Sequence, residues 1–118
     1  MKNKLVVRDI YSDIVDLRGW WPESGEDISL RICVEVGEEN EIGSNNFYFT
    51  LASPEALKKR ESKEYFIVKN RTIIVEYFDY KLLCEGVEKI VTECSGESFE
   101  DSCLQLTRYF DWEYEDFR

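Results

Sequence analysis

Histidine is missing from this 118-residue sequence, and cysteine is sparse and scattered. Without histidine the chain lacks the usual base of serine and cysteine hydrolases and a frequent zinc ligand. Histidine-dependent catalytic sites and histidine-ligated zinc sites are therefore excluded. No Cys-x-x-Cys pair occurs, so a zinc knuckle is not expected. Cys84 and Cys94 lie on one predicted helix at a separation of about 15 Å, which no disulfide spans. We therefore expect reduced thiols and a cytoplasmic protein.

Long apolar runs are also absent, and positive charge is in the minority. The first residues show neither a signal peptide nor a membrane span. With 15 Lys and Arg against 25 Asp and Glu, the net charge is −10. Such a field repels nucleic acids and anionic membranes and attracts cationic proteins. The length and a hydrophobic content of 43% indicate one folded domain, residues 1–118.

Alternation of apolar and polar side chains predicts the strands. The clearest strand runs from Ile28 to Val36, with apolar side chains on one face and polar ones on the other. Four further segments have strand character: residues 3–11, 47–51, 65–69 and 72–77. The last two flank Asn70-Arg71, which suits a tight hairpin turn.

Caps and apolar spacings of three and four predict three helices. Ser53 and Pro54 begin a short helix. A second helix carries Leu83, Val87, Ile90 and Cys94 and ends near Gly96, where glycine suits a left-handed stop. Ser98 caps a third, whose apolar stripe is Phe99, Cys103, Leu106 and Phe110. The predicted fold is α+β: about five strands, mostly antiparallel, with one short and two longer helices in the order βββαββαα.

The end of the chain alternates acids with aromatic rings. The acids are Asp111, Glu113, Glu115 and Asp116, and the rings are Trp112, Tyr114 and Phe117. In an extended segment the rings would cover the core while carboxylates face outward. One interpretation is an amphipathic tail that seals the sheet, and another is an acidic surface for a partner; the two are compatible. We take the four acids and Trp112 as candidate partner-binding residues.

A second acidic group lies on the predicted turn after the second strand. Glu38, Glu39 and Glu41 form either a solvated loop or a further part of the partner-binding surface. Their spacing does not match a calcium-binding loop. Trp20 and Trp21 precede this strand; we expect Trp20 in the core, whereas Trp21 suits either the core or an interface.

The sequence gives little support for catalysis. Carboxylates are so numerous that a pair of them carries no signal. No glycine-rich phosphate loop, nucleophile elbow or metal set accompanies them. We therefore predict a protein that is not an enzyme and needs no cofactor or metal.

Several of these segments together resemble one protein family. The resemblance is densest in Ser98-Phe99, Leu106–Phe110 and Trp112–Phe117, and it recurs in Trp21-Pro22, Phe47–Phe49, Ser53-Pro54, Leu57, Ile73–Val75, Tyr77 and Asp79. The chain is similar to the immunity protein 8 family of bacterial polymorphic-toxin and contact-dependent growth inhibition systems. This resemblance implies a cytoplasmic protein that binds and neutralises a cognate toxin domain.

The negative charge agrees with that implication, because an acidic inhibitor would be steered to the basic groove of a nuclease toxin. The expected partner is thus a basic toxin domain, not a nucleic acid or a membrane, and the oligomeric state stays open. The alternative is a regulatory or scaffold protein-binding domain unrelated to toxins. A toxin gene directly upstream would favour the first reading, and its absence the second.

Overall fold

One sheet organises the chain. The computed structural model describes residues 4–22, 27–60 and 70–115. The strands are β1 (Leu5–Tyr11), β2 (Ser29–Glu38), β3 (Asn45–Ala52), β4 (Thr72–Ile74) and β5 (Asp111–Trp112). They follow the order β1-β2-β3-β4, and β5 also pairs with β3. The predicted α+β class and mostly antiparallel five-stranded sheet are confirmed.

The far edge of β3 is shared by two short strands placed end to end. β5 pairs antiparallel with Phe47 and Tyr48, and β4 pairs parallel with residues Thr50 to Ala52. This parallel pairing is with β3, so the hairpin that the sequence suggests around Asn70-Arg71 stays a prediction. The other arm of that hairpin, residues 65–69, lies outside the described residues.

Three α-helices follow the predicted order. They are α1 (Pro54–Arg60), α2 (Tyr80–Glu93) and α3 (Phe99–Leu106), and a 3-10 helix, Leu17–Gly19, follows β1. The side chains of Asp79 and Ser98 accept the first free N–H groups of α2 and α3, as N-caps do. The Ser53 hydroxyl accepts from the backbone N–H of Ala56 in α1 and from that of Ile28, so it also ties α1 to the start of β2.

The core lies between the helices and one face of the sheet. Phe47, Phe49 and Phe110 are all 0% exposed, and the ring of Phe110 contacts the other two. The same cluster contains the inward residues of β2 and the apolar stripes of α2 and α3. Alternate residues of β2 and β3 therefore face the helices, as their period of two predicts.

Two details of the helix ends differ from expectation. α3 stops at Leu106, and a turn in which the Phe110 N–H donates to the Leu106 carbonyl carries Phe110 into the core. Gly96 does not adopt positive φ. Instead, glycine leaves room for the Asp101 carboxylate, which a Cβ there would displace.

Candidate partner-binding surface

The β2–β3 loop, residues 39–44, is shaped by an arginine. Arg8 lies where the register of β1 shifts, and its guanidinium donates to the carbonyl oxygens of Glu38 and Glu41, both at 2.7 Å. These two hydrogen bonds from Arg8 fix the backbone of the loop. The side chains of Glu39 and Glu41 remain exposed on it.

The tip of this loop presents an apolar side chain. Ile42 is fully exposed, next to exposed Glu41. Gly43 has φ +98°, a conformation that favours glycine. Gly37 lets the two ends of the β2–β3 loop come close together, since a Cβ there would collide with the Arg8 guanidinium and the Gly43 carbonyl. An exposed isoleucine beside a carboxylate is the kind of mixed surface that protein partners contact.

Trp112 serves the fold. Its ring stacks on Phe47, with centroids 6.2 Å apart and planes 10° apart. Its indole N–H donates to Asn45 Oδ1 at 3.0 Å, and Tyr114 packs edge-on against it. The ring is half-buried, so the tail does seal the end of the core.

Glu113 connects the tail with the β2–β3 loop. Its backbone N–H donates to the Asn46 carbonyl, and its carboxylate accepts from the Asn46 N–H at 2.8 Å. Asn46 comes two residues after the loop, at the start of β3. The structure therefore brings the two acidic groups that the sequence separates to one end of the sheet, which we call the acidic end (Glu38, Glu39, Glu41 and Glu113).

Asp111 and Glu115 are held by Arg71. One guanidinium nitrogen of Arg71 lies 2.6 Å from Asp111 and 3.0 Å from Glu115, and the other lies 3.1 Å from Glu115. Arg31 adds a longer contact with Asp111 at 3.6 Å. The hydrogen bond from Arg71 lowers the pKa of Glu115, and the two carboxylates raise the pKa of Arg71. Glu115 therefore stays ionised near neutral pH, and both acids are paired within the chain.

Arg71 itself is under unusual constraint. Its φ of 52° makes it the non-glycine residue with positive φ in the described part of the chain. Its side chain is only 19% exposed, and its Nε is buried without a hydrogen-bond partner. A strained, under-satisfied arginine persists only where surrounding contacts hold it. Here those contacts are the two tail carboxylates.

A family model described as Immunity protein 8 matches residues 5–117, nearly the whole chain. The chain belongs to the Immunity protein 8 family. The resemblance noted in the sequence is thereby confirmed. The comparisons found no match among curated proteins and none among solved structures.

Membership in Immunity protein 8 supports an immunity role in general and implies a protein toxin as partner. Families of immunity proteins are generally not enzymes. In the described residues no three Cys, Asp or Glu side chains are grouped to hold a metal ion. No helix in those same ranges is long and apolar enough to cross a membrane.

Of the candidate residues of this Immunity protein 8 member, Asp116 lies outside the described residues. Glu39 and Glu41 are exposed, whereas Glu38 is half-buried at the end of β2. The tail acids make contacts within the chain, which the sequence pattern did not indicate. The one sequence feature that could have indicated these contacts is the high density of acids in the tail, because closely spaced carboxylates are stabilised by a nearby cation.

Proposed function

We propose that this chain neutralises a cognate toxin domain with a basic surface, in the cytoplasm, by binding it through the acidic end. Family membership carries the immunity role. The net charge of −10 and the bonding of Glu113 to Asn46, two residues after the β2–β3 loop, support an acidic contact surface. A toxin that acts on nucleic acid needs a basic groove for phosphates, so a nuclease is the toxin class that fits best.

The candidate residues divide into two roles in this proposal. Glu38, Glu39 and Glu41 supply carboxylates on a loop whose backbone Arg8 already fixes, so little ordering is required on binding. Ile42, at the tip, supplies an apolar contact. This arrangement suits rapid capture, since long-range attraction guides the approach and the loop meets the toxin first.

The tail residues contribute to the proposed toxin contact through their fixed positions and their charge. Glu113 is bonded within the chain and presents a fixed carboxylate, whereas the charges of Asp111 and Glu115 are matched by Arg71 and Arg31. Trp112 positions this segment by its stack on Phe47. Asp116 is assigned to the same surface from the sequence pattern alone.

The experiment measures association of the chain with the toxin domain encoded next to it, at several salt concentrations. Glu39→Lys combined with Glu41→Lys should slow association about tenfold or more at low salt and flatten its salt dependence. A matched control reverses charge at Glu55 and Glu85, exposed positions on α1 and α2.

Equal slowing by both double variants would mean that net charge alone matters, and that the acidic end has no special part. No change with either variant would contradict the electrostatic account altogether. If the wild-type chain does not bind the adjacent toxin domain, a regulatory or scaffold role unrelated to toxins becomes the better explanation.

A further inference from the structure

The face of the sheet turned away from the helices carries a continuous row of side chains across four strands. In the register Tyr11 faces Cys33, Cys33 faces Tyr48, and Tyr48 faces Asp111. Directly paired residues project to the same side of a sheet. Because the residues on either side of Tyr48 are buried under the helices, this row lies on the opposite face.

The centre of the row is preorganised. The Arg31 guanidinium lies 4.7 Å from the centroid of the Tyr48 ring, yet its side chain remains 56% exposed. Tyr11 and Tyr48 flank Cys33 in the register, and burial raises the pKa of the Cys33 thiol, so the thiol stays neutral. Tyrosine and arginine held in place are the residue types that dominate binding hot spots, because little side-chain entropy is lost on contact.

The neighbouring row contains a conflict. Asp9 of β1 lies directly opposite Glu35 of β2. Like charges in that position destabilise a sheet. Asp9 accepts from the Ile10 N–H and Glu35 accepts weakly from the Ser44 hydroxyl, but within the described residues neither carboxylate forms an ion pair. A cation supplied from outside the chain would relieve this repulsion.

The charge of the whole face also favours a cationic partner. The guanidiniums of Arg31 and Arg71 are matched by Asp111 and Glu115. The carboxylates of Glu35 and Glu113 on or beside the face form no ion pair in the described part of the chain, whereas Asp9 interacts electrostatically with Arg18. The face is therefore net negative around an aromatic centre, and it complements a basic protein surface rather than an acidic or a wholly apolar one.

We propose that this surface, which we call the Tyr48 face (Asp9, Tyr11, Arg31, Cys33, Glu35 and Tyr48), docks the basic toxin domain together with the acidic end. The proposal rests on the immunity function proposed above and deepens it. A lysine or arginine of the toxin inserts between Asp9 and Glu35. The rest of the contact packs on the two tyrosine rings and on Arg31.

The first test is the dissociation constant for the toxin domain encoded next to the chain. Glu35→Gln and Arg31→Ala should each raise it about tenfold or more, as truncation at a hot spot does. Glu85→Gln, which removes the same charge from an exposed position on α2, should leave it within about twofold. Circular dichroism of each variant checks that it is folded.

The second test needs no partner. If Asp9 and Glu35 repel each other for the sake of binding, Glu35→Gln should raise the midpoint of urea unfolding, whereas Glu85→Gln should not. Weaker binding together with higher stability would identify Glu35 as a residue kept for the partner. An unchanged or lower midpoint for Glu35→Gln would contradict the repulsion on which the proposal depends.

The outcomes separate this proposal from the proposed function. Wild-type binding that survives Glu35→Gln and Arg31→Ala but is lost with Glu39→Lys and Glu41→Lys would overturn the Tyr48 face and leave immunity intact. Loss of binding only with Leu82→Asp would also overturn it. Leu82 lies in an apolar groove of about 400 Å³ between α2 and the segment after β4. Absence of wild-type binding would overturn both proposals.

Discussion

Arg71 joins β4 to β5 through a contact of 2.6 Å between its guanidinium and the Asp111 carboxylate. The two residues are 40 positions apart in sequence. They meet because β4 and β5 lie end to end beside β3. The contact helps to hold an acidic tail against an acidic domain, because two tail carboxylates are paired with this partly buried arginine.

Arg71→Ala should lower the free energy of unfolding by about 1–3 kcal/mol, since it leaves the Glu115 carboxylate without its arginine and Asp111 with only the longer contact to Arg31. Urea unfolding measures this. Arg71→Gly is the matched comparison, because glycine removes the same contacts but adopts positive φ without strain. It should be more stable than Arg71→Ala by about 1 kcal/mol. Equal stability of the two variants would show that the backbone at this residue is not strained.

Trp112→Ala should destabilise the chain by about 2 kcal/mol, somewhat less than a fully buried ring would. Trp112→Phe keeps the stack on Phe47 but loses the hydrogen bond to Asn45, and it should cost about 1 kcal/mol. Thermal unfolding followed by circular dichroism checks both. Wild-type stability of Trp112→Ala would mean that the tail is not part of the folded unit.

Ser53→Ala should cost about 2 kcal/mol, although serine is a small polar residue. Its buried hydroxyl accepts from Ala56 in α1 and from Ile28 at the start of β2. Alanine would remove the helix cap and leave the Ile28 N–H buried without an acceptor. Ser98→Ala, which removes only a cap at an exposed position, is the control and should cost about 1 kcal/mol. A larger loss at Ser98 would contradict this account.

Glu115 should make stability depend on pH in the acid range. Its pKa is lowered in the folded state by Arg71, so its contribution is present above the ordinary carboxyl value of 4.5. The contribution is lost as the pH falls through the lowered folded-state pKa. The difference in unfolding free energy between wild type and Glu115→Gln, measured from pH 7 down to 2, should therefore shrink toward low pH. A difference that grows on acidification would show the opposite shift.

The one-sided sheet was predictable because local alternation encodes it. Phe47, Phe49 and Leu51 alternate with polar residues, and all three are fully buried. The caps at Asp79 and Ser98 are likewise local, since each side chain bonds an N–H three residues ahead. Such features need no knowledge of distant residues, which is why sequence patterns find them.

The tail site was less accessible, because it depends on contacts between distant residues. Nothing in the local pattern at Asn70-Arg71 indicates a parallel strand or an arginine directed at Asp111. The glycine at 96 shows the same limit, since one residue type serves either a left-handed turn or a close approach. The pairing of Asp9 with Glu35 depends on a register shift in β1, which cannot be predicted from the sequence pattern.

The most direct test of the account is survival of bacteria that express the adjacent toxin domain in their cytoplasm, with and without this chain. The account predicts that the wild-type chain restores growth, that the toxin domain co-purifies with it, and that Glu35→Gln protects less well than Glu85→Gln at equal protein levels. Toxin-expressing cells that die equally with and without the wild-type chain, when both proteins are present and folded, would contradict the account.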